Sequence, residues 1–285
     1  MMSSAIGVAL QAAGHAVGWP IPEGGSGRLT QALAAYFKSI GGELVTDFLL
    51  ENLTQLPERS SIFFDLTPRQ IFKIVGSKLS PNLRKTFRKY PLGCGVFKMD
   101  WALREPIPWK NRECALAATV HIGGTADDIL ESEFKVKKGE HVQRPFIILS
   151  QPTLFDGSRA PRGQHIAWAY CHVPNGSSAD MSSQIENQIE RFAPGFRETI
   201  LKRSCLFPRD LEARNPNIIG GDIFGGHPDQ LLFRPTLSLN PYSLNPYSFT
   251  DRRLWICSSS TPPGPAVHGM CGYNAALAAL KVIAR

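Results

Sequence analysis

The chain has no G-x-x-x-x-G-K-[ST] phosphate loop, no G-x-G-x-x-G dinucleotide fingerprint, no C-x-x-C pair and no apolar run long enough for a membrane-spanning helix. Each absence removes a class of protein. Without the phosphate loop there is no ready-made backbone cradle for a nucleoside triphosphate. Gly24-Gly25-Ser26-Gly27 is not a nucleophile elbow either, because Arg28 stands where G-x-S-x-G needs its last glycine. Cys94, Cys114, Cys171, Cys205, Cys257 and Cys271 are widely spaced, which reads as free thiols in a reducing compartment and so predicts a cytoplasmic protein. The apolar stretch from Ala5 to Trp19 is short and carries Gln11 and His15, and no positive charge precedes it, as a secretory signal would require. His165 and His172 fall at an odd offset on an expected strand and so on opposite faces, while His121, His141 and His227 are scattered; no metal site is expected. Lys plus Arg number 31 against 24 Asp plus Glu, a net charge of +7. The basic residues are spread and no docking motif accompanies them, so no nucleic-acid partner is expected.

What remains is an ordinary globular composition. With 285 residues, 43% hydrophobic and 19% charged, the chain can bury a sizeable core as one large domain or two ordinary ones. Residues 5–17 read as a helix of small residues. After the glycine-rich turn at 22–27, Leu29, Leu33, Ala34, Tyr36, Phe37 and Ile40 form one helical face, closed by Gly41-Gly42. Short strands are expected at 43–46 and at 61–65, and Thr67-Pro68 reads as the N-cap and first residue of a new helix. Helix–turn–strand order here favours an α/β layer. A further helix is expected over 82–89, with Arg84, Lys85, Arg88 and Lys89 as a basic, solvated face. From 93 onward the pattern changes. Residues 96–103, 114–122, 146–150 and 164–173 resemble antiparallel strands, followed by a helix over 182–192 and another carrying Phe196, Ile200 and Leu201. Residues 214–250 read as loop, including the tandem copies Asn240-Pro241-Tyr242-Ser243-Leu244 and Asn245-Pro246-Tyr247-Ser248-Phe249.

The last 32 residues carry the clearest chemistry: a buried strand at 254–257, a Ser/Pro/Gly/His loop over 258–269, and a helix from Met270. A helix start leaves backbone N–H groups unpaired beneath the positive end of the helix dipole, so Val267 to Cys271 can meet a phosphate or an electron-rich ring edge. A purely structural turn has the same pattern, and the spacing does not choose between them.

Two segments together resemble a known family. The stretch Ser258-Ser259-Ser260-Thr261-Pro262-Pro263-Gly264-Pro265-Ala266-Val267-His268-Gly269-Met270-Cys271-Gly272-Tyr273-Asn274-Ala275-Ala276 is similar to the C-terminal flavin motif of phytoene-desaturase-like, FAD-dependent oxidoreductases of the flavin amine-oxidase superfamily. Gly18-Trp19-Pro20 with Pro22, Gly24-Gly25-Ser26 and Leu29 resembles that family's second flavin-side motif. Asp65-Leu66-Thr67-Pro68, Lys98-Met99-Asp100-Trp101, Arg159-Ala160-Pro161, Asn215-Pro216-Asn217 and Gly220-Gly221-Asp222 follow in the family's order. The resemblance implies an α/β (α+β mixed) protein: a partial Rossmann-type FAD domain interrupted by a substrate domain with a mixed or antiparallel sheet and helices. On that template residues 1–66 and 251–285 belong to the FAD side and 67–250 to the substrate side. It implies FAD as cofactor, with hydride passing between a small apolar organic substrate and the flavin. Carried over by motif position, Gly24, Gly25 and Ser26 lie near the flavin ring and Leu50 approaches the adenine. Thr261, Pro262, Pro263, Gly264, Val267, His268, Gly269 and Met270 line the ribityl and ring side. Catalytic residues are not named by the resemblance, and His268 is readable as a base or as a structural hydrogen-bond partner. Pro265-Ala266 departs from the glycines usual there. The first βαβ unit of the family is missing, so the chain reads as a C-terminal portion of a flavoprotein whose dinucleotide-binding half is either a missing segment, as from a truncated gene model, or a separate chain, as from a split gene. The alternative is a non-catalytic substrate-domain fragment or partner-binding module without cofactor.

Overall fold

The computed structural model describes residues 2–58, 60–227, 245–249 and 253–283. Among them the chain runs α1 (Met2–Val17), α2 (Gly27–Ser39), β1 (Ile62–Phe64), α3 (Pro68–Val75), α4 (Pro81–Arg88), β2 (Gly95–Leu103), β3 (Thr119–Ile122), α5 (Ala126–Lys137) and β4 (Ile147–Ser150). It continues through β5 (His165–Val173), α6 (Ser182–Phe192), α7 (Phe196–Thr199), β6 (Ile200–Leu206), α8 (Pro208–Arg214), β7 (Leu254–Ile256) and α9 (Met270–Ile283). The fold is mixed α/β, with separate helical and sheet regions. None of the described helices is long and apolar enough to cross a membrane.

Period-two patterning builds the larger sheet. Along β2, Phe97, Met99, Trp101 and Leu103 are buried while Lys98, Asp100 and Ala102 between them are less so, which is what packing on one face requires. β2 and β5 pair antiparallel from Gly95↔Val173 to Leu103↔His165, and the strand order is β3-β4-β5-β2-β6. α6 covers the apolar face with Ile185 and Ile189, and Phe196 of α7 meets Trp101 edge-on at 5.4 Å. A buried carboxylate ties this layer together. Glu186 accepts from Trp101 Nε1 at 3.1 Å, from Arg203 Nη1 at 2.9 Å and from Arg197 Nε at 3.3 Å. α5 opens on a reciprocal cap between Thr125 and Asp128 and is pinned by Ser132 Oγ, which accepts from the Phe146 N–H.

The second region is smaller. β1 and β7 run parallel with Phe63 opposite Trp255, and Ser248 bridges to Trp255 from the other side. Phe64, Ile71, Val75, Leu83, Phe87, Phe249, Leu254 and Ile256 share one core, and α9 covers Trp255 with Ala275 and Ala279. α1 and α2 contribute little to either core: of residues 7–49, only Gly25 is buried. Val8, Trp19, Leu33, Tyr36 and Val45 are each more than 60% exposed.

Several expectations need correction. Residues 43–46 form no strand, because no described segment lies alongside them to complete a ladder. The strand expected from 114 begins at Thr119; Asn111 caps a short 3-10 turn over Arg112–Leu116 instead. Ile200 and Leu201 leave the helix after one turn and enter β6, an edge strand whose central residues Lys202 and Arg203 hid its period, as charged edges do. Pro68 does open α3, yet Thr67 makes no side-chain cap. The second tandem copy, 245–249, inserts Tyr247 and Phe249 into the smaller cores, while the first lies outside the described residues.

Candidate functional site

The carboxyl ends of β1 and β7 open onto one place. In parallel sheets the loops leaving those ends are where ligands bind. Asp65 follows β1 and Cys257 follows β7, with the Cys257 N–H donating to the Phe64 carbonyl at 2.9 Å. Burial raises the Asp65 carboxyl above the usual carboxylate range. Burial and the Asp65 charge push the Cys257 thiol up to about 12, so it stays protonated and is no nucleophile. Asn217 braces the spot by accepting from the Thr67 N–H at 2.9 Å and donating to the Asp65 carbonyl at 3.3 Å. Thr67 Oγ1 is buried there without a partner among the described residues.

The loop from 258 to 269 is anchored at its start and open at its end. Thr261 is fully buried and spends its hydroxyl on the Ser258 carbonyl at 2.7 Å. Ser260 Oγ donates to the Gly225 carbonyl at 2.7 Å, and Tyr247 OH to the Pro262 carbonyl at 3.1 Å. Pro262–Pro263 is a cis bond, and Gly264 follows at φ +107°, a conformation other residues rarely adopt. Cys271 Sγ approaches the carbonyls of Thr261 and Gly264 at 3.4 and 3.5 Å. His268 spans the turn: its Nε2 lies 3.0 Å from the Gly264 carbonyl, and the Met270 N–H donates to its Nδ1 at 2.9 Å. Those partners require the neutral tautomer with the proton on Nε2 and use both ring nitrogens. Of the two readings open from sequence, this arrangement is the structural hydrogen-bond partner. Beyond it the surface is open among the described residues. Val267 is 89% exposed, Met270 is exposed, and a Cβ at Gly269 or Gly272 would meet nothing within 4 Å. The fourteen-residue α9 directs the positive end of its dipole at this stretch.

Gly24, Gly25 and Ser26 are held by a different neighbour. The Gly24 N–H donates to Asp156 Oδ2 at 2.8 Å, and a Cβ on Gly25 would stand 2.0 Å from Arg159 Nη1. Gly25 has φ +94°, which favours glycine there, while the Arg159 guanidinium beside it is the mobile end of a long side chain. Ser26 starts α2 without a side-chain cap. Leu50 packs against the core shared by β1 and β7. Thus Leu50 and residues 261–270 gather around the parallel strands, whereas 24–26 ride on the turn after β4. Sequence reasoning quoted Asp65, Thr67, Arg159 and Asn217 only as members of motifs. Thr67 is read there only as a helix N-cap and the others have no role, because their partners lie more than 100 residues away.

No protein-family model matches the chain. Over 184 residues it is 31% identical to the rat protein named pyridine nucleotide-disulfide oxidoreductase domain-containing protein 2, and 30% identical to the mouse protein of that name. These matches cover 59% of this chain and 30% of each relative, so the chain corresponds to under a third of their length. An oxidoreductase from Methanosarcina mazei has a similar fold, with a TM-score of 0.54 over 93% of this chain and 55% of that one, at 15% identity. At that identity the likeness speaks to the fold alone.

Proposed function

We propose that this chain is part of a flavin-dependent oxidoreductase, related in chemistry to the phytoene-desaturase-like dehydrogenases. It would bind FAD at the carboxyl ends of β1 and β7 and work in the reducing cytoplasm. The observation that carries the reading is the anchored loop that opens at Gly269 and hands the start of α9 to an exposed, glycine-lined surface. The sequence relationship to proteins named as pyridine nucleotide-disulfide oxidoreductases supports it. The residues present fit a flat cofactor: open space at Gly269 and Gly272, apolar contact from Val267 and Met270, and the helix dipole beneath.

In this reading residues 1–66 and 251–285 make the FAD side, and 67–250 make the side that meets a small apolar organic substrate. FAD supplies the hydride chemistry when bound. The chain's own part is to hold and to exclude. Gly264, Val267, Gly269 and Met270 border the ring and ribityl chain, while Pro262 and Pro263 stiffen the approach. His268 fixes the turn, and its proton stays on Nε2 against the Gly264 carbonyl. Gly24, Gly25 and Ser26 belong to the ring side by motif position alone, seated on Asp156 and beside Arg159. A separate chain bearing G-x-G-x-x-G supplies the pyrophosphate contacts, covering the exposed apolar faces of α1, α2 and α9.

The test is co-purification with such a chain, read by absorbance near about 450 nm, where bound oxidised flavin absorbs. A yellow complex that turns colourless with Gly269→Val is the expected result. A colourless complex throughout returns the chain to the alternative, a partner-binding module without cofactor.

A further inference from the structure

Residues 245–249 touch both the loop and the helix of the candidate site. Ser248 bridges to Trp255, and the Ile256 N–H donates to the Tyr247 carbonyl at 2.7 Å, so the segment lies along β7. Asn245 Oδ1 accepts from the Tyr247 N–H at 3.0 Å and shapes the entry. The Tyr247 ring is buried with Trp255, Ala275 and Ala279. Its hydroxyl donates to the Pro262 carbonyl at 3.1 Å and is also hydrogen-bonded to the Asn274 side chain. Burial raises this hydroxyl above its ordinary value, so it keeps its single proton. That proton is spent on Pro262, and Asn274 therefore donates an amide N–H to the phenol oxygen.

Other ties across this turn are of a different kind. Ser260 and Thr261 anchor only the start of the loop. His268 spends both ring nitrogens within the turn itself, on Gly264 and Met270. Cys271 reaches the Thr261 and Gly264 carbonyls, but a thiol is a weak donor. Tyr247 comes from outside both the loop and α9 and is hydrogen-bonded to each. Asn274 lies four residues after Met270, on the same face of α9, so the bridge meets the helix beside its exposed start. There is also an electrostatic consequence. The Pro262 carbonyl is turned toward a buried hydroxyl; facing the open surface at Gly269, its partial negative charge would oppose the positive end of the helix dipole.

We propose that Tyr247 is a positioning residue for the surface at Gly269. Its hydroxyl, held by Asn274, keeps the Pro262 carbonyl turned inward and fixes the turn at 262–264 against the start of α9. The cofactor side of this role rests on the flavin reading; the bridge itself does not.

The test is Tyr247→Phe in the full chain, alone and combined with a chain that carries G-x-G-x-x-G. The ring stays in its core, so the circular dichroism is unchanged. In the chain alone, the amides from Gly264 to Gly272 exchange about tenfold faster, while those of β2 and β5 do not change. In the yellow complex FAD is held about tenfold more weakly and its reduction potential falls, because a released Pro262 carbonyl opposes added negative charge. A role confined to stability would leave that potential where it is. Should Tyr247→Phe fail to fold, Asn274→Ala, at a half-buried position, shifts exchange and potential in the same directions by less. Unchanged exchange from Gly264 to Gly272, or a yellow complex of unchanged potential, overturns the proposal. A colourless complex with the unsubstituted chain overturns the flavin reading and the cofactor role with it, and exchange in the chain alone still decides the bridge.

Discussion

The five-stranded layer and the region around β1, β7 and the N-terminal helices handle apolar surface in opposite ways. In the first, Phe97, Met99, Trp101, Leu103, Ile147, Leu149, Ile185 and Phe196 are almost completely buried, and even the carboxylate of Glu186 is matched by three donors. In the second, a short parallel pair of strands has the exposed ring of Phe63 on it, and α2 buries none of its residues. Parallel strands are usually covered on both faces within larger sheets. One region is therefore finished by its own side chains, whereas the other leaves apolar surface exposed among the described residues. The difference teaches where to look for function: a closed core explains stability, and the unfinished surface is where binding energy remains to be gained.

The contrast can be broken at its strong end first. Trp101→Ala removes a buried ring packed edge-on against Phe196 and one of the three donors to the Glu186 carboxylate. It should cost about 3–5 kcal/mol, read as a large fall in the denaturation midpoint. Gly25→Val is a smaller, local lesion. The new side chain is strained at φ +94° and pushes the Arg159 guanidinium aside, so it should cost about 1–3 kcal/mol. Limited proteolysis should then cut within residues 18–49 while the five-stranded layer keeps its midpoint.

Acid should reach the same joint. The Ser158 hydroxyl and the Gly24 amide hold the Asp156 carboxyl below its ordinary value of 3.8. A depressed folded value means the contribution is present above the unfolded value and is lost as pH falls through the folded one. Protection of the Gly24 amide from hydrogen exchange should therefore persist above about pH 4 and fade below it, and Asp156→Asn should remove the dependence. The smallest effect belongs to the open surface. Leu33→Ser, at a residue 63% exposed, should shift stability by less than about 0.5 kcal/mol in the isolated chain. A shift as large as that of a core residue would show that α2 is packed after all.

Much of the fold was legible because patterning is local. The alternation along β2 and β5 and the capping glycines after α2 mark those elements without knowledge of what they touch. α5 was not read at all, although Thr125 and Asp128 carry the capping signature, since Val136 is its one buried apolar residue and leaves no clear helical stripe. β6 was masked by its charged middle and α8 by its shortness. At the candidate site the division is similar. The loop and helix start over 258–270 are contiguous and could be read. The bracing of Asp65 and Thr67 by Asn217, the seat of Gly25 under Arg159 and the pairing of Glu133 with His172 join residues far apart in sequence. Parity on β5 did separate His165 from His172: the first meets Thr153 and the second Glu133.

The measurement that bears most directly on the central claim is hydrogen exchange of this chain combined with one that carries G-x-G-x-x-G, with and without FAD. The account predicts that FAD slows exchange of the amides from Val267 to Gly272 and leaves the outer face of β5 unchanged. Protection confined to β5, with the start of α9 exchanging freely, would contradict it.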